Sequence, residues 1–151
     1  MRGILNRDCI ISIKEPLEKK EIVQKMAEVL RKQGYVLDKK TYVNDVWKRE
    51  KICSTYIGFG IAVPHGKSSA VSNNGVCIAK LERGIVWHPE KQEETKLVIL
   101  LAVNREDDKN THMKILSKLC MLLMHEEFRE EIMHCSEQEL YECLKGRLLD
   151  E

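Results

Sequence analysis

The chain has 151 residues, with 25 Lys and Arg against 24 Asp and Glu and a formal net charge of +1. That length fits a single domain over residues 1–151 with a substantial core, and nearly cancelling charge speaks against a nucleic-acid binder, which needs a basic face. No apolar run is long enough to span a bilayer and the N-terminus carries no signal-peptide core, which points to the cytoplasm.

In chain order, Cys9-Ile10-Ile11-Ser12-Ile13 is a β-rich run that reads as a strand. Pro16 pre-sets a helix start. Behind it Ile22, Val23, Met26, Ala27 and Leu30 follow one helical face, and Gly34 stands where that helix should stop. Asp38 caps a second helix, whose apolar face is Tyr42, Val43, Val46 and Trp47. That helix carries Arg49 and Glu50 in its last turn, just before Ser54-Thr55. By position alone, Arg49 is either a cation complementing the helix dipole or a planar guanidinium able to clasp phosphoryl oxygens with two parallel hydrogen bonds.

The stretch Gly58-Phe59-Gly60-Ile61-Ala62-Val63-Pro64-His65-Gly66-Lys67 organises the rest. Its apolar residues form a short buried strand that Pro64, lacking an N–H, should end. His65 is then expected at the sheet's limit, exposed and yet held, with Gly66 keeping the space beside it open to an incoming group. Such a histidine is either an ordinary turn residue or a group for proton transfer, metal ligation or covalent catalysis.

After it come a polar turn at Ser72-Asn73-Asn74-Gly75, a strand over Val76–Leu81, a second turn, and Ile85-Val86-Trp87. The run from Lys96 to Val103 is apolar without alternation, so it belongs at the centre of a sheet covered on both faces. Asp107, Asp108, Asn110 and Thr111 are candidate caps for a helix with Ile115, Leu116, Leu119, Cys120 and Leu123 on one face, which puts His112 in its first turn. There His112 is either an unremarked polar residue or a neutral imidazole able to donate to an anion at a helix N-terminus. A short helix over Glu126–Met133 follows, and Ser136-x-x-Glu139 is a capping box opening a last one with Leu140 and Leu144 inward. The expected fold class is therefore α/β, a single mixed sheet of about four to five strands flanked on both faces by helices.

The six cysteines, at 9, 53, 77, 120, 135 and 143, include no Cys-x-x-Cys pair. Cys9, Cys77 and Cys120 read as small buried hydrophobes, not as disulfide partners. The five histidines, at 65, 88, 112, 125 and 134, show no zinc-ligand spacing. No cofactor and no metal are expected, and His88, His125 and His134 read as surface residues.

From Arg49 to Lys67 the chain runs Arg-Glu-Lys-Ile-Cys-Ser-Thr-Tyr-Ile-Gly-Phe-Gly-Ile-Ala-Val-Pro-His-Gly-Lys. It closely resembles the signature of enzyme IIA of the bacterial sugar phosphotransferase system, mannitol/fructose type: Arg-Glu, then Ser-Thr, then Gly-Ile-Ala-hydrophobic-Pro-His-Gly. The resemblance continues through Thr-His-Met-Lys-Ile-Leu-Ser-Lys-Leu at 111–119 and covers nearly the whole chain. It implies that His65 carries a phosphoryl group, that Arg49 binds it and that His112 is a second active-site histidine. The hydroxyl or backbone N–H groups around Thr55 are a further candidate contact to the phosphoryl oxygens. The implied donor is the system's phosphocarrier protein, the implied acceptor a cysteine of enzyme IIB, and the link to the membrane sugar permease is indirect.

Two departures stand out: Cys53 where the family has a small residue such as glycine or serine, and a charge-rich 82–96 segment from which no sugar preference can be read. Two other functions fit parts of the pattern. One is a regulatory IIA module, nitrogen-type or part of a transcriptional regulator, phosphorylated on the same histidine without a transport role. The other is a metal-dependent hydrolase using His65 and His112, which would contain stoichiometric zinc.

Overall fold

The structure is a computed structural model that describes residues 3–107 and 110–147, without the side chains of residues 111 and 112. Six strands of the described residues form one mixed sheet: β1 (Leu5–Ile13), β2 (Tyr56–Gly58), β3 (Ile61–Ala62), β4 (His65–Ser68), β5 (Gly75–Val86) and β6 (Glu94–Asn104). Among the described residues, five helices cover it: α1 (Lys19–Lys32), α2 (Lys39–Ile52), α3 (Thr111–Leu122), α4 (Glu126–His134) and α5 (Glu137–Lys145).

The unbroken apolar run is β6, and it is central as expected, with Leu97 to Val103 all buried. Its side chains alternate between two cores, because successive strand residues point to opposite faces. Val98, Leu100 and Ala102 join Ile22, Met26, Tyr42 and Val46 beneath α1 and α2. Leu97, Ile99, Leu101 and Val103 join Ile115, Leu119, Ile132 and Leu140 beneath α3, α4 and α5.

β5 runs antiparallel along one edge of β6, and β1 lies parallel to β5 beyond it. The other edge of β6 is shared by two strands in succession. β3 pairs there in parallel, Ile61 with Leu97 and Ala62 with Val98, and β4 resumes the pairing with His65 opposite Leu101. Pro64 therefore interrupts this strand where the sequence suggested an end, and β4 beyond the break, together with β2, brings the sheet to six strands among the described residues. The second expected turn is also absent: β5 runs through to Val86, and the Glu82-Arg83-Gly84 region holds an irregularity in register between Lys80 and Ile85.

The helix signals are realised closely. The expected apolar faces of α1 and α2 are buried or, at Trp47, packed against the core. Asp38 caps α2 by accepting from the Thr41 amide at 3.2 Å, and the Ser136–Glu139 capping box opens α5. Pro16 lies ahead of the Glu18 N-cap, outside α1. Cys9 and Cys77 are buried, whereas Cys120, on the flank of the α3 stripe, is exposed.

Candidate active site

Pro64 cannot donate to the ladder, but its carbonyl accepts from the Leu101 amide at 3.0 Å, so the strand stays docked across the break. His65 follows as the first residue of β4 and is buried, only 9% exposed, where an openly exposed ring was expected. Its Nδ1 lies 3.1 Å from the Val63 carbonyl oxygen. A carbonyl can only accept, so Nδ1 carries the hydrogen and the neutral ring's lone pair is assigned to Nε2. Val63 is itself pinned, its amide donating to the Thr55 carbonyl at 2.9 Å.

Gly66 does not open space for an incoming group. A Cβ there would lie 2.9 Å from Val46 Cγ2, 3.2 Å from Tyr42 Cε1 and 3.2 Å from the Val46 nitrogen, so the glycine lets α2 approach β4. That close approach sets α2 beside His65.

His65 lines a depression of about 320 Å³ together with Asp45, Lys48, Arg49, Ile52 and Lys67. Positions 45, 48, 49 and 52 form one stripe of α2, three and four residues apart. Lys67 stands two residues after His65, hence on the same side of β4. The fold thus brings Arg49 and His65 into one cavity. Arg49 Nη1 donates to the Cys53 carbonyl at 2.8 Å, which serves the helix end and occupies one of five N–H donors. Both roles open to Arg49 in the sequence are compatible in one side chain.

Among the described lining groups, three cations face one carboxylate. Asp45 is 3.8 Å from both Lys48 Nζ and Arg105 Nη2, and its buried Oδ2 has no hydrogen bond among the described residues. An anion entering the depression would meet a net positive rim without displacing a tight ion pair.

His112 falls in the first turn of α3, as expected, and its side chain lies outside the described residues. Thr55 is buried, with both of its donors turned to Glu50: the hydroxyl at 2.6 Å from Oε1 and the amide at 3.1 Å from Oε2. Glu50 Oε2 also accepts from Trp87 Nε1 at 3.1 Å and from Lys19 Nζ at 3.2 Å. Lys19 Nζ sits 4.6 Å from the centre of the Trp87 ring. Burial pushes the Glu50 carboxyl up, but the Thr55 hydroxyl and amide, with Lys19, outweigh it and hold the group below its ordinary range.

Reading the sequence residue by residue missed Lys48, Lys67, Asp45 and Ile52. The signal was available for all four, since helical spacing from Arg49 and strand spacing from His65 lead to them. The Val63 carbonyl left no such signal, because backbone acceptors carry no residue type.

The family model described as "Phosphoenolpyruvate-dependent sugar phosphotransferase system, EIIA 2" matches residues 3–146. Multiphosphoryl transfer protein 2 of Escherichia coli is 29% identical over 133 residues, 88% of this chain and 16% of that protein. The fructose-specific EIIABC component of the Bacillus subtilis phosphotransferase system is 33% identical over 125 residues, 83% of this chain and 20% of that protein. The chain thus spans a fifth or less of the length of these two relatives. Among solved structures, the complex of enzyme IIAMTL with phosphorylated enzyme IIBMTL from Escherichia coli superposes with a TM-score of 0.77 at 28% identity, covering 95% of this chain and 99% of the matched one.

Proposed function

This chain belongs to the EIIA 2 family of the phosphoenolpyruvate-dependent sugar phosphotransferase system, and from that premise we propose that it is a phosphoryl carrier in which His65 Nε2 is the acceptor atom. The observation that carries this is the 3.1 Å contact from His65 Nδ1 to the Val63 carbonyl, within a cavity shared with Arg49. The nitrogen opposite a donating Nδ1–H holds the lone pair a nucleophile needs.

In the loading step, the Nε2 lone pair attacks phosphorus in line as the bond between phosphorus and the donor's carrying atom breaks, its electron pair leaving with the donor. The Nδ1–H bond to Val63 spreads the positive charge that the ring gains. In the unloading step a thiolate of the acceptor attacks phosphorus, the N–P bond breaks, and its electron pair returns to Nε2. Such a transfer asks the protein mainly for alignment and for charge stabilisation on the equatorial oxygens. Arg49 supplies the fork-shaped donor for those oxygens, Lys48 and Lys67 add rim charge, and His112, in the first turn of α3, is the proposed second active-site histidine. Thr55 acts from beneath the site, through Glu50 and Val63.

The donor in this reading is the system's phosphocarrier protein, and the acceptor is a cysteine of enzyme IIB, with sugar entry through the membrane permease downstream. One of the solved relatives was captured with phosphorylated enzyme IIB. Ile52, 80% exposed at the rim, offers an apolar contact to a docking partner. No helix among the described residues is long and apolar enough to cross a membrane, and the proposed partners place the work in the cytoplasm.

The test is incubation with the phosphorylated phosphocarrier protein. The wild-type protein should acquire an acid-labile phosphoryl group, and His65→Ala should acquire none. Label persisting in His65→Ala would refute the assignment.

A further inference from the structure

We propose that Glu50 is a positioning residue for His65, acting through Thr55 and Val63 to fix which ring nitrogen faces the phosphoryl group. The inference rests on His65 being the acceptor, and it extends that reading to a residue that does not line the cavity.

The links are continuous. Lys19 and Trp87 hold Glu50 Oε2 at 3.2 and 3.1 Å, and Glu50 takes both Thr55 donors, at 2.6 and 3.1 Å. The Thr55 carbonyl then accepts the Val63 amide at 2.9 Å, and the Val63 carbonyl accepts His65 Nδ1 at 3.1 Å. Glu50, Thr55, Val63 and His65 lie on α2 or in the segment that follows it, whereas Lys19 comes from α1 and Trp87 from just past the end of β5, so the clamp ties separate parts of the chain to one loop.

Stability alone is a poor reason for this arrangement. The Glu50 side chain is only 7% exposed, and a buried ion pair roughly breaks even against apolar residues of the same volume. What a carboxylate adds is geometry, since its two oxygens accept from four donors on three separate segments at once. An apolar replacement could fill the volume but could not fix the Thr55 carbonyl.

The test compares wild type with Glu50→Gln, which keeps the shape but replaces an accepting oxygen by a donating amide, and with Thr55→Val, which removes only the hydroxyl. Nitrogen-15 NMR of the unphosphorylated protein reads the His65 tautomer, and phosphoryl uptake from the phosphorylated phosphocarrier protein reads the rate. In folded Glu50→Gln the tautomer population should shift from Nδ1–H toward Nε2–H, and uptake should slow by about tenfold, the order seen when an outer support is removed. Thr55→Val should move both in the same direction by less, and it decides the question if Glu50→Gln does not fold. A folded variant with the wild-type tautomer overturns the proposal, whether or not uptake slows. Were the wild-type protein to take up no phosphoryl group at all, the carrier reading would fail, while a tautomer shift in Glu50→Gln would still establish the positioning link.

Discussion

The run made of β3 and β4, which carries His65, meets two irregularities of opposite character. At its start, Gly58, Phe59 and Gly60 have φ of 98°, 58° and 77°, three consecutive residues in the left-handed region, with Phe59 55% exposed at the tip. Further along, the break at Pro64 involves no positive φ, is buried, and is held by three hydrogen bonds: the Val63 amide to Thr55, the Leu101 amide to the Pro64 carbonyl, and His65 Nδ1 to the Val63 carbonyl. The first irregularity stores strain at the surface, where a bulky residue in that region costs about 1–2 kcal/mol. The second stores none and is braced from three sides. Backbone strain marks the turn, and bracing marks the reactive group.

The largest expected effect comes from disturbing the braced break through its helix. Gly66→Ala would press a Cβ into Val46 and Tyr42, and overpacking of this kind costs about 1–3 kcal/mol. Urea unfolding should show that loss together with slower phosphoryl uptake, because α2 carries Arg49. A full-stability Gly66→Ala variant would mean that α2 and β4 are not in the close contact described.

A smaller effect should follow from acid. The Glu50 carboxyl sits below its ordinary range, so its contribution to stability is complete above the unfolded-state value and is lost as pH falls through the lower folded-state value. Unfolding measured against pH should therefore separate wild type from Glu50→Gln at neutral pH and bring the two curves together in acid. Curves that run parallel throughout would remove Glu50 from the brace.

The smallest effect is expected at the strained tip. Phe59→Asn places a residue tolerant of φ near 58° there, while giving up the Arg129 guanidinium stacked 4.3 Å over the ring, worth about 0.5–1 kcal/mol at an exposed site. Strain relief and lost stacking should leave stability within about 1 kcal/mol of wild type by thermal unfolding, with phosphoryl uptake unchanged. A marked fall in uptake would erase the distinction between the two irregularities.

Much of this was legible in the residues. Helices α1, α2 and α5 follow from apolar faces and caps, which are local signals, and β6 follows from a run with no polar face. What the residues concealed was non-local. Glu82-Arg83-Gly84 carries the same composition whether the chain turns or bulges, and only pairing with β6 shows the bulge. Pro64 removes one donor, yet the sheet continues because its carbonyl still accepts from the Leu101 amide. Gly66 looked like room for a ligand and is room for a helix. Cys120 lies at the flank of its stripe, where one step around the helix turns burial into exposure. His65 and Arg49 were legible as neighbours through the family pattern, whereas the support beneath them runs through backbone atoms.

The most direct test of the central claim is the site of attachment in the phosphorylated protein. Proton–nitrogen correlation spectroscopy of the loaded chain, with phosphorus coupling, identifies the bonded ring atom. Coupling to Nε2 of His65, with Nδ1 retaining its hydrogen, is the predicted result. Phosphorus on Nδ1, or on any residue other than His65, would contradict the account.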